Sequence, residues 1–331
     1  MPPETSVLPI IRSEADRRVV LGAVLSDGTL LRGQNTISHP GSSHPGSVDK
    51  SAAHEQLLPC PIRRVCYLST DAPDAAAGSA ASSVGAAHET YHEVYPQVNP
   101  LVTERLKRAQ MIIYGAGSLY TSICPSLVVR GVGEEIAALP AGTPKILMLN
   151  GHPDRETSSA PPNAPPNMPF QHAAAEAGGG GTGGGGTGRG GSESSSSSSS
   201  STGSGSGGSC SDNSSGSKQA RMDACDYVRA VAHALNRRDA SSAVEGSSLH
   251  HPACEYVNVL LYPSGAEQSI AVDEHALASM GVRAIAVPST LDSEGRVVYA
   301  PQGVVDALAR VLEEANWRHG GGAGAGAGSP E

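Results

Sequence analysis

The sequence predicts an α/β protein with a doubly wound, mostly parallel, Rossmann-like sheet and an N-terminal β-hairpin. Apolar runs at 111–114 and 145–149 are each followed by a stretch with the spacing of an amphipathic helix, at 125–138 and 223–236. Strands that alternate with helices of this length are typical of βαβ units, whose parallel sheets are covered on both faces. The prediction of the sheet rests on this alternation.

The hairpin and the first helix are predicted from local turn and capping residues. Asp27-Gly28 lies between the segments 19–25 and 29–37, and this pair is preferred in tight hairpin turns. Asn99-Pro100 predicts a helix start, because Asn caps free N–H groups and Pro at the first position has no N–H to lose. The remaining predicted elements are strands at 62–68, 256–262 and 282–287 and helices at 101–109 and 302–316.

Composition indicates one interrupted domain within the 331 residues. The segment 173–217 consists largely of Gly, Ser and Thr, so it has few apolar side chains to offset the entropy of ordering it. We expect 1–158 and 223–318 to form the two parts of one α/β domain. A disordered insertion is expected at 159–222 and a disordered tail at 319–331.

The net charge of −9 argues against nucleic acid as a partner, since no basic patch stands against it. No apolar run approaches the roughly 18 residues of a membrane-spanning helix, and the N-terminus has no signal pattern. The six cysteines have no CxxC spacing and are typical of reduced thiols. We therefore expect an intracellular protein, cytoplasmic in the simplest case, with an organelle left open.

The first candidate site is the turn after the apolar run 111–114. It contains Gly115 and Gly117, which allow close backbone approach, and the hydroxyl residues Ser118, Thr121 and Ser122 before a helix. Free N–H groups and hydroxyls in this position favour a phosphate or carboxylate. The alternative is that the glycines only make the turn and the hydroxyls cap the helix.

The second candidate site follows the apolar run 145–149. It combines an amide, an imidazole, two carboxylates, a guanidinium and a hydroxyl, in Asn150, His152, Asp154, Arg155, Glu156 and Thr157. Ligands bind beyond the carboxyl ends of strands in open parallel sheets, so both turns are placed where a ligand would bind. The alternative is a solvated loop.

Three other patterns carry less weight. The glycine strings near 178–188 follow no strand and open no helix, as a phosphate loop requires. The cluster His250-His251 with Cys254 lacks a second half, and His88-Glu89-Thr90-Tyr91-His92 lies beside prolines that leave little room for the helix of a zinc protease. No metal ligands are assigned.

The segment 109–129 reads AQMIIYGAGSLYTSICPSLVV and resembles the pattern AD-x-I-x-x-GPGSLYTSI-x-PNLLV of the CofD/YvcK superfamily. In the same order as in that family stand a hairpin that ends near Asn35, the Asn99-Pro100 helix start, and Asn150 followed by Glu156-Thr157. The resemblance implies a phosphate-ligand role for the two turns and for Asn35. The Gly-Ser-Leu-Tyr-Thr-Ser run is similar to the YvcK branch, whose members bind a UDP-sugar, and other positions look like a eukaryotic subgroup.

The sequence departs from the family in two places. Tyr227 stands where many relatives carry His, which puts an acid/base role there in doubt. Nothing in 1–16 matches the first strand, the Gly-Gly-Gly-Thr-Gly loop or the Asp-Asp-Gly-Gly-Ser segment that by resemblance hold the nucleotide phosphate and a Mg²⁺ ion. We expect a truncated N-terminus, and with it a chain of low stability whose Mg²⁺ would bind through the missing segment.

Three functions follow as expectations from the resemblance. The first is a regulatory or metabolic protein that binds a nucleotide or nucleotide-sugar, such as a UDP-sugar. The second is a transferase resembling 2-phospho-L-lactate transferase, which acts on a deazaflavin. The third is a remnant that binds no ligand. No nucleic-acid or membrane partner is expected, and a homodimer is compatible with the family.

Overall fold

A five-stranded, mostly parallel sheet is the centre of the fold. The computed structural model describes residues 7–12, 18–39, 57–70, 91–159, 220–236, 251–265 and 270–320. The strands are β1 (Val20–Leu25), β2 (Leu30–Arg32), β3 (Ile62–Ser69), β4 (His92–Val94), β5 (Ile112–Tyr114), β6 (Lys145–Met148), β7 (Ser158–Ser159), β8 (Ala220–Arg221), β9 (Val259–Ser264), β10 (Arg283–Leu291) and β11 (Val297–Tyr299). The helices are α1 (Gln34–Ser38), α2 (Pro100–Lys107), α3 (Cys124–Leu127), α4 (Val132–Ala137), α5 (Ala224–Leu235), α6 (Ala253–Tyr256), α7 (Glu274–Ser279) and α8 (Pro301–Gly320).

The strand order of the main sheet is β11-β10-β9-β6-β5. Strands β5, β6, β9 and β10 pair in parallel, and β11 pairs with β10 in the antiparallel direction. Between the parallel strands the chain passes through helices, as a crossover connection requires. The prediction of an α/β fold with a mostly parallel sheet is confirmed.

The two faces of this sheet belong to two separate apolar clusters. Leu147 and Leu260 face the larger cluster, which contains the buried side of α5. Their neighbours Ile146 and Leu261 face the smaller cluster and pack with Val311 of α8. Successive strand residues point to opposite faces, so the sheet is covered by helices on both sides, as the doubly wound prediction requires.

A second, antiparallel sheet contains the predicted hairpin, with strand order β2-β1-β3-β4. The hairpin is confirmed, with Ala23 opposite Leu31, but the prediction that its second strand runs to residue 37 was wrong. Gly33 has a φ of 88°, which ends the strand, and α1 begins at the next residue and buries Ile37. The predicted strand at 62–68 pairs with β1, so it belongs to this sheet and not to the parallel one.

Side-chain caps are present at two of the predicted helix starts, and the first of them was predicted from its capping residues. The Asn99 Oδ1 atom accepts a hydrogen bond of 3.0 Å from the Leu101 backbone N–H at the start of α2. The start of α5 is a capping box, in which the Asp223 side chain accepts from the Asp226 N–H and the Asp226 side chain accepts from the Asp223 N–H. These bonds satisfy N–H groups that have no partner inside the helix.

Two further predicted elements differ in their division or start, and the strand predicted at 282–287 continues to Leu291. The single helix expected at 125–138 is divided into α3 and α4, because Gly131 has a left-handed conformation with a φ of 95°. The strand expected from residue 256 begins at Val259, because Tyr256 still belongs to α6. The short elements β4, α7 and β11 were not predicted.

Several predictions from composition lie outside the described residues. They include the disorder of 173–217, most of the insertion 159–222 and of the tail 319–331, the segment with His88 and Glu89, and His250. Where the chain is described on either side of the insertion, Ser158 pairs with Arg221 and Ser159 with Ala220. In the described part, none of the helices has the length and apolar character needed to cross a membrane.

We predict that Gly133→Ala destabilises the fold, because a Cβ atom there would lie 2.1 Å from the backbone oxygen of Leu235. The backbones of α4 and α5 would have to separate, so the free energy of unfolding should fall by about 1–3 kcal/mol in urea titrations. Gly115→Ala is the matched control, since a Cβ there meets no atom within 4 Å. Equal stability of the two variants would contradict this account.

Candidate functional site

The candidate site is built where β5 and β6 end side by side. Ile112 pairs with Lys145 and Tyr114 with Leu147, in parallel, so the two strands end at the same edge of the sheet. The turn at 115–118, named the glycine turn below, therefore lies next to the turn at 149–154, named the polar turn. The pairing brings together the two motifs that the sequence placed at strand ends.

Asn150 joins the two turns directly. Its Oδ1 atom accepts a hydrogen bond of 3.3 Å from the Gly117 backbone N–H, and its Nδ2 atom donates to the Gly117 carbonyl oxygen over 2.9 Å. The same Nδ2 atom donates to Asp154 Oδ1 over 3.1 Å. An amide has a donor and an acceptor side by side, so it can bond to both backbone groups of one residue in this way.

Asp154 caps the helical turn that follows the glycine turn. Residues Leu119–Ile123 form one turn of π-helix, and the Leu119 backbone N–H donates to Asp154 Oδ2 over 2.8 Å. Desolvation raises the pKa of Asp154, while the bonds from Leu119, Asn150 and the Ser118 hydroxyl lower it, and the net direction is upward. The Asp154 carboxylate thus accepts from the Leu119 N–H group, which the sequence had predicted to be available to a phosphate or carboxylate ligand.

Glu156 supports the same π-helical turn from deeper in the protein. It lies in the 3-10 turn Arg155–Thr157, its side chain is only 3% exposed, and Thr121 Oγ1 donates to its Oε1 over 2.9 Å. Desolvation, together with the charge of Asp154, raises the pKa of Glu156. In the described part of the chain it forms no ion pair, so hydrogen bonds alone stabilise its carboxyl group.

Thr157 and Tyr227 continue this network into α5. Thr157 Oγ1 donates to the Asp154 carbonyl oxygen over 2.8 Å, and the Tyr227 hydroxyl donates to Thr157 Oγ1 over 3.1 Å. Burial raises the pKa of Tyr227, which keeps its proton. Tyr227 therefore fixes the position of Thr157 and has no acid/base partner in this bond, in line with the doubt raised by the sequence.

The polar turn also packs closely against β11 and is hydrogen-bonded to it. A Cβ atom on Gly151 would lie 2.2 Å from the Val297 carbonyl oxygen, so only glycine fits this contact. His152 Nε2 accepts a hydrogen bond of 2.9 Å from the Val297 backbone N–H. The His152 imidazole, which the sequence placed in the second candidate site, thus holds the turn against β11. No local sequence pattern indicates this bond, because its partner is far away in the chain.

The outer side of the glycine turn remains open to solvent. Gly115 and Ala116 are exposed, as is the side chain of Ser122. Within the described residues, the backbone N–H groups of Ala116 and Ser118 donate to no protein acceptor. This face therefore has donors that a ligand could use, and Gly115 leaves the space in front of them empty.

The other predicted site residues lie at the margin. Asn35 is exposed on α1, a helix that packs against both the π-helical turn and the 3-10 turn. Arg155 is half-buried at the start of the 3-10 turn. The structure thus gathers Gly115, Gly117, Ser118, Thr121, Asn150, Asp154, Glu156 and Thr157 through direct bonds or shared turns, with Ser122, Asn35 and Arg155 around them.

The described residues do not fit a magnesium site. No group of three His, Cys, Asp or Glu side chains able to hold a metal ion is found among them. Both oxygens of Asp154 accept hydrogen bonds from N–H donors, and Glu156 is occupied by Thr121. No chemistry of this site is therefore derived through a metal ion.

The geometry defines an α/β protein with polar turns at adjacent strand ends, which is the place of ligand sites in such sheets. The family model described as 2-phospho-L-lactate transferase CofD matches residues 1–165, a range that contains both turns. The chain belongs to the CofD-like superfamily. The recognition of this superfamily from the sequence is confirmed.

Individual proteins that the chain resembles share little sequence identity with it. The uncharacterized protein YNL011C of Saccharomyces cerevisiae is 26% identical over a match that covers 46% of this chain and 41% of the yeast protein. Two crystal structures of protein BH3568 from Bacillus halodurans, one described as a member of the upf0052 family, are 15% and 16% identical with a TM-score of 0.46 each. They cover 89% and 88% of this chain and 60% of their own, so the chain spans less than two thirds of these relatives.

We predict that Glu156→Gln becomes more favourable relative to wild type as pH rises. The raised pKa of Glu156 means that its stabilising contribution is complete below the unfolded-state value of 4.5 and is lost as pH rises through the folded-state pKa. Gln cannot ionise and keeps an oxygen for the Thr121 hydroxyl. Urea titrations from about pH 4 to about pH 8 should show the stability difference grow in favour of Gln.

Glu313→Gln, on the exposed side of α8, is the control for the loss of one negative charge. Asp154 titrates in every protein compared, and because its charge repels that of Glu156, relief of this repulsion in Glu156→Gln also favours Gln as pH rises. A Glu156→Gln stability difference that shrinks with rising pH would show that the native fold prefers the ionised carboxylate.

Proposed function

We propose that the chain binds a nucleotide-linked phosphate ligand, such as a UDP-sugar, at the open side of the glycine turn, in a regulatory or metabolic role. The observation that supports this most directly is a pair of backbone donors, at Ala116 and Ser118, that have no acceptor among the described residues and lie in an exposed turn at the carboxyl ends of β5 and β6. Backbone N–H groups that converge in a turn favour a phosphate oxygen.

The neighbouring carboxylates limit how such a ligand can bind. Asp154 and Glu156 already accept from Leu119 and Thr121, so the first N–H and hydroxyl groups of the π-helical turn are not available to a phosphate. A diphosphate would contact the outer side of the turn, where Gly115 leaves space and the Ser122 hydroxyl is exposed. In this proposal the carboxylates shape the turn and the backbone holds the ligand.

The second candidate is transfer of a phosphorus-containing group, as in 2-phospho-L-lactate transferase acting on a deazaflavin. The description of the matching family model favours it. A transferase must hold a donor and an acceptor together, whereas the binding protein needs only the nucleotide ligand. Assays of transfer from a nucleotide diphosphate donor, with and without added Mg²⁺, distinguish the two functions, because only a transferase forms product.

The two cleanest substitutions for a binding test are at Gly115 and Ser122. A Cβ atom at Gly115 has no described protein atom within 4 Å, whereas one at Gly117 would lie 3.2 Å from Ser122 Cβ and disturb the turn itself. The Ser118 hydroxyl bonds to Asp154, so its removal would mix binding and stability, while the Ser122 side chain is exposed.

We predict that Gly115→Val abolishes most UDP-sugar binding and leaves the thermal midpoint unchanged, because the side chain blocks approach to the free N–H groups. Ser122→Ala should weaken binding roughly ten- to a hundredfold, as expected for loss of one charge-assisted hydrogen bond of about 1.5–3 kcal/mol. Isothermal titration calorimetry measures both. Ser293→Ala, in the exposed β10–β11 turn, is the matched control and should bind like wild type.

Two results would contradict ligand binding at the glycine turn. No heat with UDP-sugars at about millimolar concentration in the wild-type chain counts against this function. Destabilisation of Gly115→Val without loss of affinity would show that the glycine turn is only a structural connection.

A further inference from the structure

A cavity of about 530 Å³ is lined by Glu156 and Thr157 of the 3-10 turn and by no residue of the glycine turn. Its walls come from β3, the π-helical turn, α3, the β7–β8 pair and α5. This volume is within the range of small-molecule pockets in proteins. Sequence reasoning did not find it, since its walls come from segments far apart in the chain.

The body of the cavity is apolar. Val65, Tyr120, Cys124, Val128 and Ala230 line it, and Tyr120 and Cys124 are almost fully buried. The Tyr120 hydroxyl donates to the Ile62 carbonyl oxygen over 3.3 Å, so the phenol presents its ring to the cavity wall without an unsatisfied polar group. Such a wall favours an apolar ligand body, and the Tyr120 ring can pack against an aromatic one.

The inner end of the cavity is polar. It is formed by Glu156, Ser158 and Ser159, which are 3%, 6% and 3% exposed. Glu156 has no basic partner among the described residues, and desolvation raises its pKa, so its carboxyl group retains a proton more readily than a solvated one. A protonated carboxyl group and two hydroxyls can donate to a ligand acceptor, such as a carbonyl or a ring oxygen.

The opening of the cavity is basic. Four arginines and His233 line it, against the carboxylates of Glu156 and Asp226. Arg64 is paired with Glu93, which accepts from both of its terminal nitrogens over 3.0 Å, and Arg229 is paired with Asp226 over 3.0 Å. Arg63 is exposed and forms no ion pair within the part of the chain that the structure describes, so the opening attracts an anion.

We propose that this cavity binds an amphiphilic small molecule with a planar aromatic body and a phosphate group, the aromatic body between β3 and α5 and the phosphate at Arg63. The apolar walls, the buried polar end and the basic opening each match one part of such a ligand. The site is separate from the glycine turn, because Asp154 faces the turn while Glu156, two residues on, lines the cavity. The proposal does not depend on UDP-sugar binding.

The test uses 1-naphthyl phosphate and 1-naphthol as probes, since they share the aromatic body and differ in the phosphate. We expect the full chain to bind 1-naphthyl phosphate saturably in fluorescence titrations. Arg63→Ala should weaken this binding about threefold to tenfold, and Arg63→Glu should weaken it further. Both variants should bind 1-naphthol as wild type does, and both should fold, because the side chain is exposed.

Two control variants test whether the probe binds in the cavity. Arg310→Ala removes an exposed charge from α8 and should bind 1-naphthyl phosphate like wild type. Ala230→Trp fills the cavity and should weaken both probes, and its thermal midpoint reports whether the fold is kept. The proposal is overturned if 1-naphthyl phosphate does not saturate below about 5 mM. It is equally overturned if Arg63→Glu binds like Arg310→Ala, or if Gly115→Val alone removes probe binding.

Discussion

The candidate site depends on the parallel pairing of β5 with β6. Because Tyr114 lies opposite Leu147, the glycine turn and the polar turn leave the sheet at the same level and a few ångströms apart. Asn150 then fixes their distance with two hydrogen bonds to the backbone N–H and carbonyl oxygen of Gly117. A side-chain amide bonded to both backbone groups of one residue resists sliding of one turn past the other, so the site keeps the register of the two strands.

The buried carboxylates decide which part of the site is available. Asp154 and Glu156 bond to Leu119 and Thr121, and these bonds organise a single π-helical turn that has few internal hydrogen bonds of its own. Desolvation of both carboxyl groups costs free energy, which the bonds from N–H and O–H donors offset in part. The inner side of the turn is therefore held by these two carboxylates and not by hydroxyl caps, while its outer side keeps donors that have no partner among the described residues.

Sequence reasoning succeeded where a signal is local and failed where it depends on distant segments. Asn99 and Asp223 cap their helices through bonds to residues two and three positions away, so the sequence contains both partners. Gly133 is different, since its need for glycine comes from the carbonyl oxygen of Leu235, about a hundred residues later. The sequence predicted that both turns follow strands of a parallel sheet. It did not predict where the Asp154 side chain points, because that direction depends on packing and not on the periodicity of the sequence.

The 3-10 turn Arg155–Thr157 connects the two proposed sites. Asp154 directs its carboxylate at the glycine turn, Glu156 directs its own at Thr121 beside the cavity, and Thr157 is held by Tyr227 of α5. Three anchored residues, Asp154, Glu156 and Thr157, leave this segment little freedom to move at one site without moving at the other. A ligand that shifted Glu156 would therefore strain the Asp154 bond to Leu119, and with it the turn that presents the free backbone donors. Coupling of this kind needs no long pathway, because the two carboxylates are separated by a single residue.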